Sequence, residues 1–221
     1  MCAVVLLSSA TYCGAGVDVA SLTNDQAAGG LKEALTRGIT TSVAETGKPG
    51  GFEGNPLIKI VMPEKLRTVE KGLRAVGMGS QVDGFEHSMN AAAEEAAPRA
   101  KAIFMDALKA MTIEDAKQIV LGGNTSGTKF FKEKTTAQVS EAFRPVIEKA
   151  MAHTGVQEKF GALMGSAPKL PFGKTPSVDI NGYVLEKSVD GMFTMMGEEE
   201  KKIRTNPASQ VTPLLKMVFG R

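Results

Sequence analysis

This 221-residue chain has no tryptophan, two tyrosines, two cysteines and two histidines. Cys2 and Cys13 both fall near the N-terminus, so the remaining chain offers neither a disulfide framework nor a thiol nucleophile. His87 and His153 are far apart and give no recognisable zinc-ligand spacing. The formal net charge is only +2, from 26 basic and 24 acidic residues, which argues against a basic nucleic-acid-binding surface. Beyond the first residues no apolar run approaches the roughly 20 residues of a membrane-spanning helix, so no integral membrane domain is expected.

What the chain does contain is small and adaptable packing material, twelve methionines and many alanines, suited to helix contacts. Its length favours one domain, here read as residues 21–221. Residues 1–20 read as an export signal or a flexible N-terminal segment. The run from Met1 to Gly16 has a short apolar stretch followed by small residues, like a secretory signal, but lacks a basic start. Cys13 follows Tyr12, a poor match to the small residue usual before a lipid-accepting cysteine. The location expected is periplasmic or exported, with a cytoplasmic protein as the alternative.

Helix signals follow one another along the chain. Thr23 to Gln26 has capping-box spacing, and Leu31, Ala34, Leu35 and Ile39 share one face beyond it. Lys48-Pro49-Gly50-Gly51 and Gly54-Asn55-Pro56 mark a loop, with a short strand open at Leu57–Met62. Pro63 begins a helix whose buried face is Leu66, Val69, Leu73 and Val76. A further helix over roughly 80–97 meets a kink or break at Pro98, and Thr112 with Asp115 caps another. Asn124 to Thr128 opens the next, and Thr136 starts a longer amphipathic element in which Pro145 introduces a bend. A short helix fits Val156–Met164, and the proline-rich stretch Ser166–Val178 reads as a structured connector. Asp179 caps a helix with Tyr183, Val184, Val189, Met192 and Met196 on its apolar side and a mostly solvent-facing run from Glu198 to Lys202. Leu214, Leu215, Val218 and Phe219 dock a terminal helix. The fold class is all-α, a compact multi-helix bundle with mixed antiparallel and crossed packing.

The chemistry-bearing candidates centre on Glu86, Asn90 and Glu94, four residues apart and therefore one polar stripe beside the apolar face of Phe85, Met89, Ala92 and Ala96. Such a stripe holds a ligand or locks helix packing. Glu86 and Glu94 form a conceivable acid–base pair for a hydrolase, and with Asn90 and Asp190 a conceivable Mg²⁺ or Ca²⁺ set, but equal spacing establishes neither a cleft nor convergence. Arg144 before Pro145 and Asp190 before Gly191 suit charge-assisted contacts between helices, and Arg144 alternatively an anion. No catalytic residue, metal ligand or cofactor is assigned.

Several motifs occur in order: Gly30-Leu31-Lys32-Glu33-Ala34-Leu35, Phe85-Glu86 with Met89-Asn90 and Ala92-Ala93-Glu94, Phe143-Arg144-Pro145, Asp190-Gly191-Met192-Phe193, and Glu198 through Arg204. In these the chain resembles an uncharacterised bacterial family, numbered 4197 among the domains of unknown function, over roughly residues 21–220. The resemblance implies a mainly helical domain, often preceded by an export signal, and supplies no catalytic residues or substrate. The function expected is that of a non-enzymatic cell-envelope protein binding a small ligand or an envelope protein. A hydrolase-like enzyme using Glu86 and Glu94, or a purely structural helical protein, is the alternative.

Overall fold

The computed structural model of the protein describes residues 24–166 and 178–220. Both cysteines, Thr23 of the expected capping box and nearly all of the proline-rich connector lie outside these residues. Nine α-helices and no strand occur among the described residues, and the fold is an all-α bundle. The helices are α1 (Asn24–Gly47), α2 (Arg67–Ala75), α3 (Gly79–Ala96), α4 (Ala100–Lys109), α5 (Ile113–Leu121), α6 (Ser126–His153), α7 (Val156–Ser166), α8 (Ile180–Thr205) and α9 (Pro213–Phe219).

Local chemistry sets most of their ends. Pro98 lies in a 3-10 turn, Ala97–Arg99, that separates α3 from α4, as a missing amide donor requires. Thr112 and Asp115 form the reciprocal capping box of α5. Asp179 caps α8 by accepting from the Gly182 amide at 3.0 Å. Two expectations change. Val76 is the residue just after α2, so it leaves the helical face and is 61% exposed. The element expected from Thr136 begins ten residues earlier and forms one 28-residue helix. Phe131, Thr135, Val139, Phe143 and Ile147 continue a buried row at four-residue spacing through it. Pro145 is tolerated inside because its position is exposed, where water can solvate the carbonyl that loses its donor.

The long helices make the frame. α8 packs against both α6 and α1, α1 also against α4, α5 and α9, and α3 against α6, α7 and α8. Their buried residues form one contiguous hydrophobic cluster. Phe104 of α4 sits within it, its ring 6.1 Å from that of Phe131 on α6 and 5.6 Å from that of Phe193 on α8. These tilted and edge-on contacts lock three helices with rigid aromatic area.

Candidate functional site

The α3 stripe faces the connection between α1 and α2, residues 48–63, which has no regular structure after Lys48 apart from turns. Leu57–Met62 is therefore not a strand, and its partner is a row of side chains. Asn90 Oδ1 accepts from the Ile60 amide and Asn90 Nδ2 donates to the Ile60 carbonyl, each at 2.8 Å. Glu86 Oε1 accepts from the Met62 amide at 2.8 Å. The registers match because a helix rises about 6 Å over four residues while an extended chain covers about 6.6 Å over two. Glu86 and Asn90 thus serve alternate amides of a chain running antiparallel to the helix.

Glu94 completes the row on a turn. Its carboxylate accepts from the amides of Gly50 and Phe52 at 3.0 Å each and of Glu53 at 3.2 Å. Gly50 has a φ of 76°, the left-handed conformation that lets neighbouring amides converge on one anion. On the opposite side the connection rests against α8. A Cβ on Gly191 would lie 2.5 Å from the Phe52 ring and 3.3 Å from the Ile58 Cβ. Tyr183 donates its hydroxyl to the Val61 carbonyl at 3.0 Å. Burial, and then the nearby Glu86 charge, push the Tyr183 phenol above its ordinary pKa.

This geometry defines what the stripe can do. Ile60, Met62 and Asn90 are at most 1% exposed, so the side chains replace water for a buried backbone. Glu86 and Glu94 stand eight residues apart, about 12 Å along the axis, beyond the roughly 5–10 Å at which two carboxylates flank one glycosidic bond. Asp190 pairs with Lys132 of α6 at 3.1 Å, both about half exposed, a contact that adds little stability. Arg144 is exposed on α6 and has no ion pair among the described residues. The structure therefore brings Glu86, Asn90 and Glu94 together on the connection, and gives Arg144 and Asp190 separate environments. Among the described residues no group of three His, Cys, Asp or Glu side chains is placed to hold a metal ion. His87 instead meets Glu53, with Nδ1 2.6 Å from the carboxylate.

A second polar cluster sits on α8, in the run expected to face solvent. Lys201 and Lys202 do so, but Glu200 is buried. It accepts from the Gly127 amide at 2.9 Å, the Thr128 amide at 2.7 Å and the Thr128 hydroxyl at 2.8 Å. An anion is favoured there because the first turn of α6 presents free amides and the positive end of the helix dipole. Arg204, one turn on and 7% exposed at its side chain, donates Nε to Glu200 at 2.9 Å. Its Nη2 donates to the Ile119 carbonyl at 2.9 Å and to Ser126 Oγ at 3.0 Å. The guanidinium carbon lies 5.0 Å from the centre of the Phe219 ring. One ion pair thus joins the end of α5, the start of α6 and α9 to α8. The signal was present in the sequence: Met192, Met196, Glu200 and Ile203 recur every three or four residues, on the buried face.

Arg204 also lines an open groove of about 520 Å³ between the end of α5 and the α8–α9 junction. Leu121, Asn124, Gln210, Val218 and Phe219 contribute to its walls. Leu121 is 81% exposed, while Gln210 is buried and donates its amide to the carbonyls of Ile203 at 3.1 Å and Phe219 at 3.0 Å. The groove thus has an exposed apolar lip, a fixed amide wall and a nearly buried cation. Among the described residues no helix is long and apolar enough to cross a membrane.

Comparison with known proteins adds a family and no biochemistry. No curated protein and no solved structure matches the chain. A family model, described as a protein of unknown function, matches residues 21–220, a span that contains every helix described above. The chain belongs to that family, DUF4197.

Proposed function

We propose that this protein is a non-enzymatic binding protein of the cell envelope, and that it binds at the groove beside Arg204. The observation that carries the reading is the groove itself. Its volume of about 520 Å³ falls in the roughly 300–1,000 Å³ class of small-molecule sites. Its walls combine exposed apolar surface with a buried guanidinium. The α3 stripe is assigned to architecture, because its polar atoms serve the α1–α2 backbone. Placement in the envelope rests on the short apolar N-terminal run and on the export signals that accompany the family.

The test is native mass spectrometry of the full chain purified from its own cells under gentle conditions. A small molecule or protein retained in fixed stoichiometry, and lost from a Leu121→Glu variant with unchanged melting, supports the reading. A chain that carries nothing, or whose bound species is indifferent to Leu121, refutes it. Fractionation tests the location separately, and recovery of the chain solely with cytosolic markers refutes the envelope assignment.

A further inference from the structure

Whatever the groove itself holds, the surface around it has the chemistry of a membrane-docking face: we propose that this end of the molecule binds peripherally to an anionic lipid bilayer. The acids and bases of the whole chain nearly balance, yet two of its stretches are one-sided. Residues 116–131 and 201–220 hold Lys117, Lys129, Lys201, Lys202, Arg204 and Lys216 and no aspartate or glutamate. The fold brings these stretches together, because α5, α8 and α9 all end at the groove. Lys117, Lys201 and Lys216 each stand four residues before a residue of its wall, Leu121, Thr205 and Gly220 respectively. Two of these spacings are closed by hydrogen bonds of 2.8 Å, one donated by the Thr205 hydroxyl to the Lys201 carbonyl and one by the Gly220 amide to the Lys216 carbonyl. None of the three lysines makes an ion pair among the described residues, and Lys201 and Lys216 are exposed. The acids that precede the two stretches are engaged, Asp115 by Thr112, Glu199 by Lys202 and Glu200 by Arg204.

Two apolar side chains stand out within this basic surface. Leu121 is 81% exposed, the highest value among the large hydrophobic side chains at the surface of the described residues, and Gly122-Gly123 follow it where α5 gives way to α6. Val211, 56% exposed, adjoins Gln210 of the facing wall. Burial of both in the acyl boundary of a bilayer removes this apolar area from water. A protein partner would have to fill the groove of about 520 Å³ that lies beside them, whereas a fluid bilayer needs no matched shape. A nucleic acid binds by stacking on exposed aromatic rings, and Phe219, the aromatic of the wall, is buried. Lysines suit a lipid surface, since their alkyl stems lie along apolar material while the ammonium reaches the headgroups. A lysine in the last turn also offsets the negative end of its helix, a role that keeps its charge at this surface.

The experiment sediments the full chain with vesicles of phosphatidylcholine, alone or with about a third phosphatidylglycerol, at about 0.05 M and about 0.5 M sodium chloride. The parent chain should bind the anionic vesicles at low salt and lose most of that binding at high salt or without the anionic lipid. Each lysine beside an anionic surface is worth about fivefold in partitioning, so Lys201→Gln combined with Lys216→Gln should weaken binding about 25-fold. Leu121→Gln leaves the charge unchanged and should weaken it about tenfold through lost apolar burial. Val211→Gln should act in the same direction, and carries the apolar test if Leu121→Gln lowers the melting temperature. Val76→Gln is the control, at an apolar residue 61% exposed just after α2, and should bind as the parent does. No binding to anionic vesicles, equal binding to both compositions, or losses no greater at Leu121 and the lysine pair than at Val76 each overturn the proposal. Native mass spectrometry decides the groove separately, since a chain that carries no small molecule still presents the docking surface.

Discussion

Asn90→Ala should be among the most damaging single substitutions in this protein. Asn90 is fully buried and pairs with both polar groups of Ile60, whose own exposure is 1%. Alanine removes both partners at once. Each orphaned buried group costs about 1–3 kcal/mol, so the pair sets a range of about 2–6 kcal/mol. The amide leaves space for one water, which can restore part of the loss, and about 3 kcal/mol is the expected outcome. Against a typical total of about 5–15 kcal/mol, that is a large fraction. With a urea dependence near 2 kcal/mol per molar, the midpoint should fall by about 1.5 M. Hydrogen exchange gives the local reading: the Ile60 amide should lose protection beyond the global loss, with Met62 following. Arg144→Ala is the control and should stay within about 0.5 kcal/mol of the parent, since its side chain is exposed and makes no ion pair among the described residues. An Asn90→Ala cost below about 1 kcal/mol, with Ile60 still protected, would refute the argument that the stripe carries the connection.

Glu200→Ala leaves Arg204 uncompensated and strips the amides of α6, so a loss of about 3–5 kcal/mol is expected in chemical denaturation; a loss under about 1 kcal/mol contradicts the buried-pair assignment. Gly191→Ala drives a methyl group into Phe52 and Ile58, and about 1–3 kcal/mol of overpacking should show as a lowered melting temperature; an unchanged one means the connection does not press on α8. The pH dependence has two signs. The Thr112 hydroxyl, then its amide, hold the Asp115 carboxyl below its ordinary value of 3.8. Its contribution is present above that value and is lost as pH falls through the lowered one, so Asp115→Asn should flatten the acid limb of the stability curve. Tyr183 is raised above its ordinary value of 10.0, so its contribution is complete below that value and lost as pH rises through the raised one. Tyr183→Phe should flatten the alkaline limb; an unaltered acid limb in Asp115→Asn counts against the Thr112 hydrogen bonds, and an unaltered alkaline limb in Tyr183→Phe counts against the burial of the phenol beside Glu86.

Helix-end chemistry and apolar spacing were legible in the sequence, because both depend on residues a few positions apart. The apolar face of α3, the break at Pro98 and the caps at Thr112 and Asp179 are of this kind. The stripe was visible as a stripe, but its partners were not. They are backbone amides of residues 50–62, and an amide has no side-chain signature in the chain. Glu200 was concealed for a different reason, since a run of three glutamates and two lysines looks solvated unless the period of the methionines before it is carried through. The groove was invisible for a third: residues near 121, 204, 210 and 219 meet only because α5, α8 and α9 converge on α1. Gly191, quoted within a family motif, gains a physical reason in the close approach of Phe52.

The hydrogen bonds from α3 to the α1–α2 connection also impose an order of assembly. Glu86 reaches Met62 across 24 residues, Asn90 reaches Ile60 across 30, and Glu94 reaches Phe52 across 42. The three closures are nested, each enclosing the one before. Once the innermost is made, the next requires only a few more residues to be fixed, so its added loop entropy is small. The connection can therefore zip outward from the α2–α3 hairpin, and the turn at Gly50 is the last to set and the first to open.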